Sequence, residues 1–387
     1  MKKILVMMLA FSIVFQAVLP AQAEEEGVEI ESPSAILMEA STGTVLYEKA
    51  ADEQRSPASV TKVMTALLIF EAIESGKIKL TDEVATSAHA KSMGGSQVFL
   101  EEGEKQTVET LIKCIMIASG NDAAVTMAEY IGGTEQEFVK MMNQRAKELG
   151  MENTNFVDCC GLTEDKNHYT SARDIAIMSR ELVTRFPQIY DYTTVWMENI
   201  THVTKQGTKE FGLTNTNKLL RSYDGCKGLK TGSTSIAKYC LSATAVRNDI
   251  ELISVIMTAP DSKTRFANAA ELLNYGFGKC ALYRDENQDA LPEIPVNRGV
   301  EDTVSCRYEG EFTYLDTAGA NLSSVTKEIK LSEELDAPLA KGDAAGEAQY
   351  FLDGKQIGSV KILVDRDVAK AGFLDYLKEA WEAYLCA

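Results

Sequence analysis

The chain has 387 residues, 45% of them hydrophobic, and a formal net charge of -18. Its length allows a large core and more than one domain, and so acidic a surface disfavours nucleic acid as a partner and gives no general attraction to anionic lipid headgroups. The three histidines, His89, His168 and His202, come without an H-E-x-x-H or C-x-x-C pair, so neither a metal nor another cofactor is expected.

At the N-terminus, Lys2 and Lys3, an apolar run from Ile4 to Val18 and Ala21-Gln22-Ala23 read as the three parts of a secretory signal peptide over residues 1–23. The run falls short of the ~20 apolar residues a spanning helix needs. An exported chain starting near Glu24 is therefore expected, acting outside the cytoplasm. An even number of cysteines in such a chain permits disulfides. Cys114, Cys159, Cys160, Cys226, Cys240, Cys280, Cys306 and Cys386 are instead scattered, mostly among apolar residues, and read as unpaired buried thiols.

Ser34–Ala40 and Thr44–Ala50 predict a strand hairpin turned at Gly43. Ser56-Pro57 then predicts a helix start, with Val60, Val63, Met64, Leu67, Leu68 and Ile73 near helical spacing up to Gly76. A second apolar helical region, Leu111–Ile131, is broken by Ser119-Gly120-Asn121, and Ser171–Val183 predicts an amphipathic helix. Tyr239–Val246 and Ile250–Met257 predict a hairpin, followed by a helix over Phe266–Phe277. Strands at both ends of a helical middle suggest one sheet built from distant segments with helices packed on it.

Residues 24–284 form this first domain. From 285 to 366 short strand-like runs alternate with Gly and Asp turns, the clearest being a hairpin tipped by Asp353-Gly354, so a small all-β domain is expected. The final segment, 367–387, reads as a helix whose Phe373, Leu377, Trp381 and Tyr384 share one face. Such a stripe suits a membrane surface, although Asp375, Glu379 and Glu382 give its other face an acidic bias and packing on the protein is an equal alternative.

Three short motifs carry chemistry. Ser59-Val60-Thr61-Lys62 sets a hydroxyl and an amine three residues apart at a helix start, on one face. Apolar neighbours desolvate the lysine, which favours the neutral amine that can accept the serine proton, and the helix N-terminus adds N–H groups where an oxyanion forms. Ser119-Gly120-Asn121 offers a second hydroxyl and a carboxamide; Lys230-Thr231-Gly232 offers an ammonium and a hydroxyl able to grip a carboxylate on a strand edge. Each motif alone also reads as an ordinary helix face or turn.

In the order S-x-x-K, S-x-N, K-T-G the three match the signature of penicillin-binding proteins and class A β-lactamases. The stretches PASVTKVMTALL, ASGNDAAVTMAEYIGG, HYTSARDIAIMSREL, NTNKLL and GLKTGST resemble the low-molecular-mass serine D-alanyl-D-alanine carboxypeptidases over Ser34 to Phe277. The resemblance implies the α/β (α+β) penicillin-binding fold with a small C-terminal all-β domain. It also implies attack by Ser59 on the bond between two D-alanines of a peptidoglycan stem peptide, with Lys62 as general base and Ser119 as proton relay to the leaving amine. Asn121 would bind the acyl side, Lys230 and Thr231 the terminal carboxylate, and Gly232 would let the backbone approach closely. The N–H groups of Ser59 and Ser233 would form the oxyanion hole, with Arg265 supporting carboxylate recognition. β-Lactam antibiotics would acylate Ser59, and the C-terminal helix would associate peripherally with the outer face of the membrane.

Ser233 departs from the histidine that often follows K-T-G in this family, a change that spares the backbone N–H. A class A β-lactamase is disfavoured because no E-x-x-L-N segment lies between Asn121 and Lys230. D,D-endopeptidase action on cross-links, and a catalytically silent wall-binding or β-lactam-sensing protein, are the alternatives.

Overall fold

The structure is a computed structural model that describes residues 28–385; the expected signal peptide and Cys386 lie outside the described residues. In chain order, strands β1 (Ser34–Glu39) and β2 (Val45–Lys49) lead through a 3₁₀ turn, Ala58–Thr61, into α1 (Lys62–Glu74). The middle of the chain holds β3 (Glu83–Ala85), α2 (Ala88–Lys91), β4 (Lys105–Thr107), α3 (Val108–Met116), α4 (Asn121–Gly132), α5 (Glu135–Glu148), α6 (Ala172–Arg185) and α7 (Tyr190–Thr193). A hairpin, β5 (Met197–Thr204) and β6 (Gly207–Thr214), and the short α8 (Leu219–Ser222) precede β7 (Cys226–Thr234), β8 (Lys238–Arg247), β9 (Ile250–Ala259) and α9 (Ser262–Lys279).

The antiparallel main sheet runs β2-β1-β9-β8-β7, so strands from both ends of the first domain pair in its centre. Side-chain alternation sends Ile36, Met38, Ile253 and Val255 to one face, against the helices led by α1. Ala35, Leu37, Leu252 and Ile256 face the other way, onto Ala269, Leu272 and Leu273 of α9. Ten of the thirteen residues of α1 are buried, which makes it the central helix of the helical layer rather than an amphipathic surface one. β7 is an edge strand, and its free edge lies against the Ala58–Thr61 turn.

The expected small β domain follows: β10 (Ala281–Asp285), β11 (Ile294–Asn297), β12 (Thr303–Val304), β13 (Cys306–Tyr308), β14 (Phe312–Asp316), β15 (Thr326–Leu331), β16 (Leu335–Asp336), β17 (Ala344–Leu352) and β18 (Lys355–Val364). Its core centres on Tyr350, stacked on Phe312 with ring centroids 3.9 Å apart. The β17–β18 hairpin turns at Asp353 and Gly354, both in the left-handed region at φ 50° and 78°, as a type I′ turn requires. The C-terminal helix, α10 (Phe373–Leu385), starts later than its sequence suggests, because Val368 is buried in the β core and its backbone pairs with Leu339. The seven described cysteines are unpaired.

Candidate active site

Ser59 lies in the 3₁₀ turn and Lys62 opens α1, so the i, i+3 spacing eclipses the two side chains. Lys62 Nζ is 3.0 Å from Ser59 Oγ, 2.6 Å from Asn121 Oδ1 and 2.8 Å from the Cys160 carbonyl. The last two atoms only accept, since Asn121 Nδ2 is fixed as the donor to the Gly94 carbonyl at 2.7 Å. A neutral amine has two N–H groups and one lone pair; with both N–H groups committed, the lone pair is left facing the Ser59 hydroxyl. Lys62 is wholly buried, and burial lowers its pKa, opposed in part by the thiols of Cys159 and Cys160 and the carboxylates of Asp158 and Asp122.

The turn that carries Ser59 is clamped on both sides. On one, the His168 ring accepts from the Val157 N–H at Nδ1, so Nε2 carries the proton and donates to Thr61 Oγ1 at 2.8 Å; the Thr61 hydroxyl donates onward to the Ala58 carbonyl. Gly161 touches the same carbonyl so closely that a Cβ there would sit 1.8 Å from it. Asp158 shapes that loop by accepting from the N–H groups of Cys160, Gly161 and Thr163. On the other side, a Cβ at Gly232 would meet the Pro57 carbonyl at 2.7 Å and the Ser59 nitrogen at 2.9 Å. Gly232 therefore brings the backbone of β7, with Ser233 next, alongside the backbone of Ser59.

Ser119 sits at the corner between α3 and α4 at φ 62°, buried, and the backbone reversal it makes is the reason the apolar helical region is interrupted. The Asp122 carboxylate stitches this corner to the neighbouring loop through the N–H groups of Val98 and Leu100. Asn121, expected to bind substrate, already spends its carboxamide on Lys62 and Gly94.

Lys230 is buried on β7 and donates to the Thr231 carbonyl at 2.9 Å. Its pKa is held well below the usual lysine value by burial first, then by the positive charges of Lys62 and Arg265. Thr231 donates to Thr216 Oγ1 at 2.6 Å. Arg265 reaches in from α9 and donates to the carbonyls of Gly232 and Cys240, which are partners across β7 and β8. Here it braces the strand that carries the motif. Ser233 is exposed at the end of this edge.

All three motifs thus converge. The clamp of Thr61, His168, Gly161 and Asp158, and the contribution of Thr216, escaped the sequence reading. The Asp158-x-x-Gly161 spacing is a turn signal, but nothing local says which distant backbone the turn will touch.

A helical layer on an antiparallel sheet, with a buried lysine directed at a serine beside an edge strand, defines the penicillin-binding class of serine hydrolase. The family model described as D-alanyl-D-alanine carboxypeptidase matches residues 20–261, and that of the penicillin-binding protein 5 C-terminal domain matches residues 285–370. The chain is 42% identical to D-alanyl-D-alanine carboxypeptidase DacF of Bacillus subtilis over 90% of its own length and 88% of the relative's. Against DacC of Escherichia coli it is 34% identical over 91% and 89%. Penicillin-binding protein 5 of Haemophilus influenzae superposes with a TM-score of 0.72 at 32% identity, covering 89% of this chain and 99% of that one. The chain belongs to the D-alanyl-D-alanine carboxypeptidase family.

Proposed function

We propose that the protein removes the terminal D-alanine from peptidoglycan stem pentapeptides through an acyl-enzyme on Ser59, and that β-lactams acylate the same oxygen. The observation that carries this reading is the buried Lys62 amine held 3.0 Å from Ser59 Oγ, with Asn121 Oδ1 and the Cys160 carbonyl as its other partners; in the neutral form those two take its N–H groups and its lone pair faces Ser59. Lys62 takes the serine proton as Oγ attacks the carbonyl between the two D-alanines. The N–H groups of Ser59 and Ser233 stabilise the oxyanion; removing such a donor typically costs ~100 to 1,000-fold in rate. Ser119 relays the proton to the leaving amine, and water then releases the shortened peptide.

Lys230 and Thr231 hold the terminal carboxylate, whose negative charge offsets those of Lys230 and Arg265 while Lys62 stays neutral as the base. Arg265 acts through β7, and Asn121 serves first to aim Lys62. The site acts on the cell wall outside the cytoplasm. The exposed apolar residues of α10, Phe373, Leu374, Leu377 and Trp381, provide a peripheral membrane contact. No described helix is long and apolar enough to cross a membrane.

Intact-mass analysis after penicillin, with D-alanine release from a diacetyl-Lys-D-Ala-D-Ala peptide, tests the reading. A stable adduct and release, both lost in Ser59→Ala, are expected. Acylation without release would leave an endopeptidase or a sensor, and absence of both would overturn the assignment.

A further inference from the structure

The β5–β6 hairpin and the loop Ser96–Glu101 enclose a cavity of about 630 Å³ that the hydrolytic machinery does not use. Its walls include Phe99, Phe211, His202, Thr204, Gln206 and Thr208. Phe99 is 63% exposed, sits at φ 63°, and meets Phe211 edge to face with centroids 5.8 Å apart. A large ring held in the left-handed region with most of its surface in water is poorly explained by packing.

His202 lies behind these rings, itself edge-on to Phe211 at 5.6 Å. Its Nδ1 is 2.7 Å from Glu104 Oε1, a carboxylate buried in full, whereas its Nε2 is buried with no hydrogen-bond partner. The hairpin is fastened in place: Gln106 Nε2 donates to the Thr201 carbonyl and Lys113 pairs with Glu198 at 2.7 Å. The hairpin wall is therefore held in place, and His202 Nε2, which has no exposed surface, becomes reachable when the exposed Phe99 ring swings aside. Glu101 is neutralised by Lys91 at 2.5 Å, and Lys209 supplies a single cation at the rim, so neutral hydroxyl and amide groups dominate the lining.

An aromatic ring beside hydroxyls, a carboxamide and an unpartnered imidazole nitrogen suits a neutral, hydroxyl-rich ligand, whose hydroxyls both donate and accept and which offers C–H faces as well. Both walls also lead to the catalytic centre. Gly94 accepts from Asn121 at 2.7 Å and Ser96 accepts from the Asn121 N–H, only a few residues before Phe99. On the other wall, β6 ends two residues before Thr216, the partner of Thr231. Five residues from Gly94 to Phe99 span at most about 17 Å, and the four stem residues between the scissile bond and the glycan extend about 14 Å.

We propose that this cavity is a glycan subsite that takes an N-acetylated amino-sugar ring of the wall strand bearing the stem peptide. The sugar lies against Phe99, and a hydroxyl satisfies His202. The proposal rests on the carboxypeptidase reading for the position of the peptide.

The test compares D-alanine release by the full chain from a free pentapeptide and from the same pentapeptide on an N-acetylglucosaminyl-N-acetylmuramyl disaccharide. The glycosylated substrate is expected to have a kcat/KM about tenfold higher. That preference should disappear in Phe99→Ala and in His202→Gln, with hydrolysis of the free peptide unchanged in Phe99→Ala. Equal kcat/KM values in the wild type, or a preference that survives both substitutions, would overturn the subsite. Saturation-transfer NMR with the peptide-free disaccharide on Ser59→Ala reads the cavity independently. Disaccharide binding lost with Phe99→Ala supports the subsite even if no substrate is hydrolysed, and absence of binding counts against it even if the free peptide is cleaved.

Discussion

Lys62 Nζ stands 3.0 Å from Ser59 Oγ with its other two directions occupied by the Asn121 side-chain oxygen and the Cys160 carbonyl. With Lys62 as the proposed base, this relationship sets the direction of proton transfer. Because burial lowers the Lys62 pKa from 10.5, the base is competent below the usual lysine range. It fails when acid protonates it. The rate of penicillin acylation should therefore rise with pH through the depressed Lys62 pKa and level off before pH 10.5. A pH profile by intact mass checks this, and Lys62→Met should abolish the rising limb together with at least about 1,000-fold of the rate.

Asn121→Asp separates aiming from substrate binding. A carboxylate 2.6 Å from the amine would favour the ammonium, so the rising limb should move to higher pH and acylation at pH 7 should fall by about 100-fold. If Asn121 served only to bind substrate, the rate would drop and the limb would stay where it is. The pH at half-maximal rate distinguishes the two.

Gly161 and Gly76 share a left-handed backbone, at φ 76° and 71°, but not their surroundings. Nothing lies within 4 Å of a Cβ at Gly76, whereas at Gly161 it would sit 1.8 Å from the Ala58 carbonyl. Gly76→Ala should cost about 1 kcal/mol, the penalty of the backbone conformation alone. Gly161→Ala should cost more than about 3 kcal/mol, and it should slow acylation by displacing the turn that carries Ser59. Urea denaturation of the two variants measures the difference.

Much of this was legible in the sequence, and the parts that were not have physical reasons. The β8–β9 hairpin, α6 and the β17–β18 turn show their periodicity or turn residues openly. The β5–β6 hairpin does not: burial alternates along β5, but its inward positions are Glu198, Ile200, His202 and Thr204 while Met197 and Val203 are exposed, so residue type does not follow the pleat. The helix expected from Pro57 begins as a 3₁₀ turn because Ala58 adopts φ 49°, a value no α-helix contains. The three motifs of the candidate site could be read because each is local. Their clamp could not, since His168 and Thr61 lie 107 residues apart and meet only in the folded chain.

His168 makes stability depend on pH. Burial lowers its pKa from 6.5, and the nearby Asp158 and Asp165 carboxylates oppose that shift. Its Nδ1 accepts from Val157, so the folded state holds the ring neutral. As pH falls through 6.5 the unfolded chain takes up the proton first, and stability is lost down to the lower folded pKa. The urea midpoint should drop between pH 7.5 and 5.5. That drop should shrink in His168→Gln, which keeps a hydrogen-bonding side chain without the titration.

The apolar face of α10 makes a prediction about lipid. Phe373 and Leu374 are more than 70% exposed, and Leu377 and Trp381 more than half, a concentration of bare apolar surface that water disfavours. The chain as a whole is strongly acidic. Hydrophobic insertion and electrostatic repulsion therefore oppose each other on an anionic surface and not on a neutral one. Co-sedimentation with vesicles should show binding to neutral phosphatidylcholine. On vesicles rich in phosphatidylglycerol, binding should be weaker at low salt and recover near 0.15 M, where repulsion is screened beyond about 8 Å. Phe373→Glu with Leu377→Glu should reduce binding to both by more than tenfold, while D-alanine release from a small peptide stays unchanged. Binding that falls rather than rises with salt on the anionic vesicles would show that basic groups, and not this apolar face, make the contact.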